Sequence, residues 1–295
     1  MDAGVFERWV KQSLLEVEQA LEAWVPEGAP AGLGEAMRYA VLGAGKRLRP
    51  LLVLAAAEAA SGQREAAMRA ACAVELIHAY SLAHDDMPCM DNDVLRRGKP
   101  TLHVQYGEAQ AMLAGDAMQA LAFDVLTPDE GVAPALQARL CRLLARASGY
   151  DGMAGGQAID LASIGKPLDE AALRDMHRRK TGVLLQASVL MGAASGDLSP
   201  AAWEALSRYG AAIGLAFQVV DDILDVTQDS DVLGKTAGKD QDNNKPTYVS
   251  VLGLEPARAY ALRLRDEAHQ ALAASGLADT AWLSLLADKV VERDN

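Results

Sequence analysis

The sequence predicts an all-α fold, on two compositional observations and one of pattern. Just over half the residues are hydrophobic (51%), yet aromatics make up only 5% and Ala close to a fifth of the 295-residue chain. Ala is the best helix former, and the β-branched and aromatic residues that strands favour are sparse. The apolar residues recur at helical spacing through long stretches broken by short Pro/Gly segments. The length admits one large or two small domains. No low-complexity linker or short-period repeat divides it, so the expectation is one helical domain over residues 1–295.

The elements follow in order. Residues 5–24 carry Val5, Trp9, Leu14, Val17 and Leu21 among charges, an amphipathic helix, and Pro26, Gly28, Pro30 and Gly32 make the next stretch a loop. Helices are expected at 34–43, at 50–60 (Ala- and Leu-rich, hence buried) and at 64–86, the last stopped by Pro88. Others follow at 107–126, 134–148, 151–163, 169–191, 200–226 and 256–274, with one more at the C-terminus. Residues 228–247, rich in Asp, Lys, Gly and Asn, read as a long polar loop, of the kind that often carries function.

A formal charge of −12 argues against nucleic acid and anionic membrane surfaces as partners. The three cysteines, Cys72, Cys89 and Cys141, form no CxxC pair, which points to a reducing cytoplasm rather than a disulfide framework or structural zinc. The N-terminus lacks a basic region followed by an apolar stretch, and no apolar run reaches the roughly 18 residues of a membrane helix.

Two acidic clusters carry the functional signal. Asp85-Asp86-Met87-Pro88-Cys89-Met90-Asp91, with Asp93 beyond, follows the apolar stretch 74–83; Asp221-Asp222-Ile223-Leu224-Asp225 follows 213–220. Carboxylates at a helix C-terminus oppose its partial negative charge, and adjacent ones repel. A sequence that accepts both costs twice implies a compensating cation, and clustered Asp oxygens suit Mg²⁺. Gln218, Asp221, Asp222 and Asp225 are spaced to share one side of a helix, as are His78 and Asp85.

Cations flank these clusters. Gly43-Ala44-Gly45-Lys46-Arg47-Leu48-Arg49-Pro50 places three within four positions after a glycine turn. Arg96-Arg97-Gly98-Lys99-Pro100-Thr101 follows the first cluster, Arg178-Arg179-Lys180-Thr181-Gly182 forms a third group, and Lys235, Lys239 and Lys245 follow the second cluster. Metal-bound diphosphate needs Asp on its cation side and Arg or Lys on its anion side. The Gly43–Lys46 segment is not a phosphate-binding loop of the GxxxxGK[ST] order, and GxSxG, HExxH and the dinucleotide glycine fingerprint are absent.

Together with Gly115-Asp116, Gly155-Gly156-Gln157, Phe217-Gln218-Val219-Val220-Asp221-Asp222 and Lys245-Pro246-Thr247-Tyr248, these motifs resemble the trans-isoprenyl diphosphate synthases across nearly the whole chain, most of all the bacterial farnesyl diphosphate synthases. The resemblance implies a helical bundle around a deep central cavity, a homodimer, and head-to-tail condensation of isopentenyl diphosphate with dimethylallyl and then geranyl diphosphate. It implies Mg²⁺, three ions with substrate bound, held by Asp85, Asp91 and Asp221. Arg96, Lys180 and Lys235 would contact the allylic diphosphate, and Lys46, Arg49, His78 and Arg97 the isopentenyl diphosphate. The Thr181 hydroxyl, the Gln218 amide and the Lys180 backbone carbonyl would stabilise the carbocation. Tyr80 and Ser81, five and four residues before Asp85, would floor the cavity and set a fifteen-carbon product. A geranylgeranyl or longer-chain synthase is the alternative, with a class I terpene cyclase or a catalytically silent subunit further off.

Overall fold

The computed structural model describes residues 3–43, 45–166, 168–227 and 247–293. The helices in chain order are α1 (Ala3–Trp24), α2 (Leu33–Val41), α3 (Leu48–Ala59), α4 (Arg64–Asp85), α5 (Leu102–Tyr106), α6 (Glu108–Leu126), α7 (Pro134–Ser148), α8 (Met153–Ala162), α9 (Glu170–His177), α10 (Val183–Ala194), α11 (Pro200–Thr227), α12 (Tyr248–Leu252), α13 (Leu254–Ala273) and α14 (Ala281–Val291). A π-helical turn, Arg178–Gly182, joins α9 to α10. The all-α expectation holds. Among the described residues the only strands are two of two residues each, β1 (Leu95–Arg96) and β2 (Lys99–Pro100), paired antiparallel across a turn at Arg97 and Gly98.

Two apolar clusters form the core. One gathers α1, α2, α4, α6 and α7 around Leu76, Ile77, Met118 and Leu144; the other gathers α10, α11, α13 and α14 around Leu185, Tyr209, Ile213 and Leu283. The Ala-rich α3 divides its face between them, Val53 and Leu54 in the first and Leu52 and Ala55 in the second. Small residues let helices touch there: a Cβ on Gly192 of α10 would lie 2.1 Å from the Val53 carbonyl. The chain ends meet where the Trp9 and Trp282 indoles, 5.2 Å apart, both donate to Glu58 of α3. That brace brings α14, and Arg293 beyond it, back to α11.

Several elements differ from expectation. The helix expected at 169–191 is interrupted by the π turn, which periodicity cannot distinguish from α-helix over five residues. The one expected at 107–126 is preceded by the separate α5, with Gly107 at φ +84 between them. The polar 228–247 stretch gave no sign of α12, whose start is capped by the Thr247 side chain accepting from the Ser250 N–H. Among the described residues no helix is long and apolar enough to cross a membrane.

Candidate active site

The first acidic cluster is built by chain reversal at the end of α4. The Asp91 N–H donates to the Asp85 carbonyl at 2.9 Å, the Asp93 N–H to the Asp86 carbonyl at 3.1 Å, and Asn92 turns the chain with φ 50. The intervening residues thus loop outward, Pro88 and Cys89 exposed, while Asp91 folds back towards Asp85. Burial pushes the Asp85 carboxyl up to about 6; Asp91 and Asp86 add to the rise, and Lys180 and Arg96 oppose it. A charge so disfavoured gains most from a divalent cation beside it.

Asp86 does something else. It is 2% exposed and accepts two hydrogen bonds from Arg96 Nε, at 2.8 and 3.0 Å, and one from Nη2 at 2.5 Å. Arg96, expected on the allylic diphosphate, is therefore held by the carboxylate next to Asp85. Lys180 follows the same pattern: its ammonium lies 2.6 Å from Asp160 of α8, itself 5% exposed. The π turn carrying Lys180 presses on α8 so closely that a Cβ on Gly156 would lie 2.1 Å from the Lys180 nitrogen. Sequence reasoning missed both anchoring carboxylates; the signal for Asp160 was its place three residues after Gln157, one turn along the same helix.

Arg49, His78 and Arg97 come together, while Lys46 has Arg293 and Asp221 as its charged neighbours. Burial holds the Arg49 guanidinium below its ordinary range, with Arg97 among its charged neighbours. Burial and then the charges of Arg49, Arg97, Arg96 and Arg47 hold His78 well below its ordinary value, so it is neutral at pH 7. Gly45, at φ +127, lies against the Arg97 guanidinium, where a Cβ would fall 2.7 Å from Nη1. Lys46 is pushed down by burial and then by Arg293. The middle cation of the Lys46–Arg49 run is directed inward instead. Arg47, 4% exposed, pairs with Glu75 at 2.5 Å and Glu18 at 2.6 Å and donates to the Val41 carbonyl. It fixes the start of α3 from inside the core.

The second cluster lies on the last two turns of α11. Asp221 accepts a hydrogen bond from Arg293 Nη2 at 2.6 Å; the same nitrogen donates to the Phe217 carbonyl at 2.6 Å, and the guanidinium stacks 4.0 Å from the Phe217 ring centroid. Asp222 points inward, 2% exposed. The Thr181 hydroxyl donates to Gln218 Oε1 at 3.0 Å, and Gln218 Nε2 donates to Asp222 Oδ1 at 2.8 Å. Tyr80, edge-on to His84 with ring centroids 5.6 Å apart, stands one turn before Asp85, while the Ser81 hydroxyl donates to the His78 carbonyl within its own helix. The His84 Nε2 is 3.0 Å from the Met112 carbonyl, and the ring lies against Gly115. Lys235 lies outside the described residues.

The donor set fits Mg²⁺. It consists of carboxylate oxygens, hard ligands of the kind that hold Mg²⁺ together with substrate phosphates. Asp85, Asp91 and Asp221 would hold the ions.

The polyprenyl synthetase family profile matches residues 30–276. This chain belongs to that family. Among relatives of this synthase, a chloroplastic geranylgeranyl pyrophosphate synthase of Capsicum annuum is 46% identical over 98% of this chain and 79% of its own length. An FPP/GFPP synthase from Zymomonas mobilis superposes with a TM-score of 0.88 at 40% identity, covering 98% of this chain and 100% of its own. A geranyltransferase from Helicobacter pylori, solved with magnesium and isoprenyl diphosphate, gives a TM-score of 0.84 at 35% identity over 96% and 95% of the two chains. The all-α isoprenoid-synthase fold is thereby established, and so is membership of the trans-isoprenyl diphosphate synthases.

Proposed function

We propose that the chain joins isopentenyl diphosphate head to tail to an allylic diphosphate. The observation that carries this reading is that the two acidic clusters are accompanied by a further cation group, in which Arg49 and Arg97 lie beside the neutral His78. Lys46, Arg49, His78 and Arg97 suit a diphosphate that keeps its C–O bond. Asp85, Asp91 and Asp221 suit one that leaves as a metal complex. Bound Mg²⁺ supplies positive charge to the leaving diphosphate. Lys180 and Arg96, fixed by Asp160 and Asp86, place two more cations on the same group without rearrangement during reaction. As the C–O bond breaks, its electron pair leaves with diphosphate. The Thr181 and Gln218 oxygens and the Lys180 carbonyl face the allylic cation, the isopentenyl double bond supplies the new C–C bond, and the adjacent proton is lost to the departed diphosphate.

For product length, the names of the relatives favour twenty carbons over the fifteen expected from sequence, and geranylgeranyl diphosphate is the product we propose. A fifteen-carbon product is the second reading, and Tyr80 is its support: a ring one turn before Asp85 can floor the cavity. If Tyr80 is that floor, Tyr80→Ala lengthens the product; an active variant with an unchanged product removes the second reading's basis. A homodimer is in keeping with Val104, Met112 and Leu113, large apolar side chains left 40–53% exposed on α5 and α6. The cytoplasmic placement rests on the three free cysteines.

The test is incubation with isopentenyl diphosphate, each allylic diphosphate in turn and Mg²⁺, with EDTA as control and product mass as readout. A metal-dependent prenyl diphosphate longer than its primer is expected. No elongation in any mixture would overturn the reading.

A further inference from the structure

Asp222 has no role in the chemistry so far, although it is the second residue of an acidic cluster and 2% exposed. Both of its oxygens are engaged. Oδ1 accepts from Gln218 Nε2 at 2.8 Å, and Oδ2 accepts the Tyr248 N–H at 2.7 Å. The Tyr248 ring is fully buried and stacked on His177, with centroids 5.4 Å apart. The carboxylate is therefore clamped between α11 and the start of α12.

The consequence lies in the polarity of the hydrogen-bond chain. An ionised carboxylate only accepts, so the Gln218 amide must turn its NH₂ towards Asp222 and its oxygen away. That oxygen accepts the Thr181 hydroxyl proton at 3.0 Å. With its proton so committed, Thr181 Oγ has only lone pairs left to present. Both hydrogen bonds of the chain Thr181–Gln218–Asp222 thus run in one direction, from the Thr181 hydroxyl to the Asp222 carboxylate beside α12. A Gln218 amide turned the other way would present N–H to Thr181 and release the hydroxyl proton towards the cation, the wrong sign of dipole.

We propose that Asp222 is a positioning residue that fixes the oxygens of Gln218 and Thr181 towards the allylic cation, rather than a metal ligand. The inference rests on the prenyl-elongation reading above. The chain runs from Thr181 through Gln218 and Asp222 to Tyr248 and includes none of the residues assigned to the diphosphates or the metal, so its loss should appear in the chemical step and in the fate of the cation. When capture by the isopentenyl double bond is slowed, water adds instead, loses a proton and gives prenyl alcohol plus diphosphate.

Asp222→Asn is the first variant. Its side chain has the same shape, and its Oδ1 can still accept from Tyr248, but its Nδ2 faces Gln218 and turns that amide over. The expected result is a fall in kcat of about 100-fold, in the range for losing one oriented dipole. KM for both diphosphates and the Mg²⁺ requirement should stay within about threefold, and the share of prenyl alcohol should rise. The second variant reverses the polarity of the pair: in Gln218→Glu/Asp222→Asn the amide donates to the carboxylate, and an oxygen again faces Thr181. That double variant should recover at least about tenfold in kcat over Asp222→Asn, which a merely structural role for Asp222 would not produce, and it remains informative if the single variant folds poorly. An Asp222→Asn enzyme with unchanged kcat and alcohol share would overturn the inference, as would one whose activity returns at high Mg²⁺. If the parent chain fails to elongate any allylic diphosphate, the functional reading fails instead.

Discussion

The two acidic clusters share a motif but not an environment. The first is assembled by a loop that folds Asp91 back towards Asp85, and burial leaves the Asp85 carboxyl at about 6. The second lies on a continuous helix, and Asp221 there already has the Arg293 guanidinium at 2.6 Å. The Asp85 carboxyl stays raised by burial although Lys180 and Arg96 are near it, whereas Asp221 already has a direct ion pair. An adjacent Asp pair followed by a third Asp, after four residues in one cluster and two in the other, thus leads to different electrostatic demands, because the helix geometry and the C-terminal arginine were invisible at the level of the motif.

The largest effect that would sharpen this contrast comes from neutralising each cluster. Asp85→Asn should lower kcat by on the order of 10³-fold, and Asp221→Asn by about 10²-fold, because Arg293 remains close to the second position. Equal losses in steady-state assays would mean that the environments do not matter.

The acid side of the pH dependence should follow Asp85. Its carboxyl sits at about 6, above the ordinary 3.8, so ionising it costs the folded protein. The stability contributed at this site is present at low pH and is lost as pH rises from about 4 towards 6 and beyond. Mg²⁺ reverses that cost only where the carboxyl is ionised. In thermal melts Mg²⁺ should therefore raise Tm more at pH 8 than at pH 5; the opposite order would place the responsive carboxyl elsewhere.

Arg293 should give the smallest effect. Arg293→Ala frees Asp221 from its ion pair, and half-maximal activity should need about threefold less Mg²⁺, a change of the size expected for a partly exposed pair. A higher Mg²⁺ requirement would show that Arg293 assists the loaded site instead of competing with the metal.

The helices were legible because Ala-rich amphipathic stretches and Pro/Gly breaks are local signals. The two aspartate clusters stood out because adjacent carboxylates after apolar helices are costly enough to need a reason. The partners of the cations were not legible. Asp160 lies 20 residues from Lys180, Arg293 lies 72 from Asp221, and Arg47 reaches 28 residues to Glu75. Nothing in the Gly45-Lys46-Arg47-Leu48-Arg49 run says that Arg47 turns into the core while Arg49 gathers with His78 and Arg97. That sorting comes from Arg47 standing at φ 48 before the first turn of α3, a backbone choice that composition does not reveal. The Gln218–Asp222 pair was half legible: a spacing of four put both on one face, but not the polarity of the bond between them.

One diphosphate should be held through metal at the acidic clusters and the other by the Lys46, Arg49, His78 and Arg97 group alone. Calorimetric titration of isopentenyl diphosphate and of an unreactive allylic diphosphate analogue, each with Mg²⁺ and with EDTA, tests it directly. Allylic binding should vanish in EDTA while isopentenyl binding persists; loss of both, or persistence of both, would contradict it.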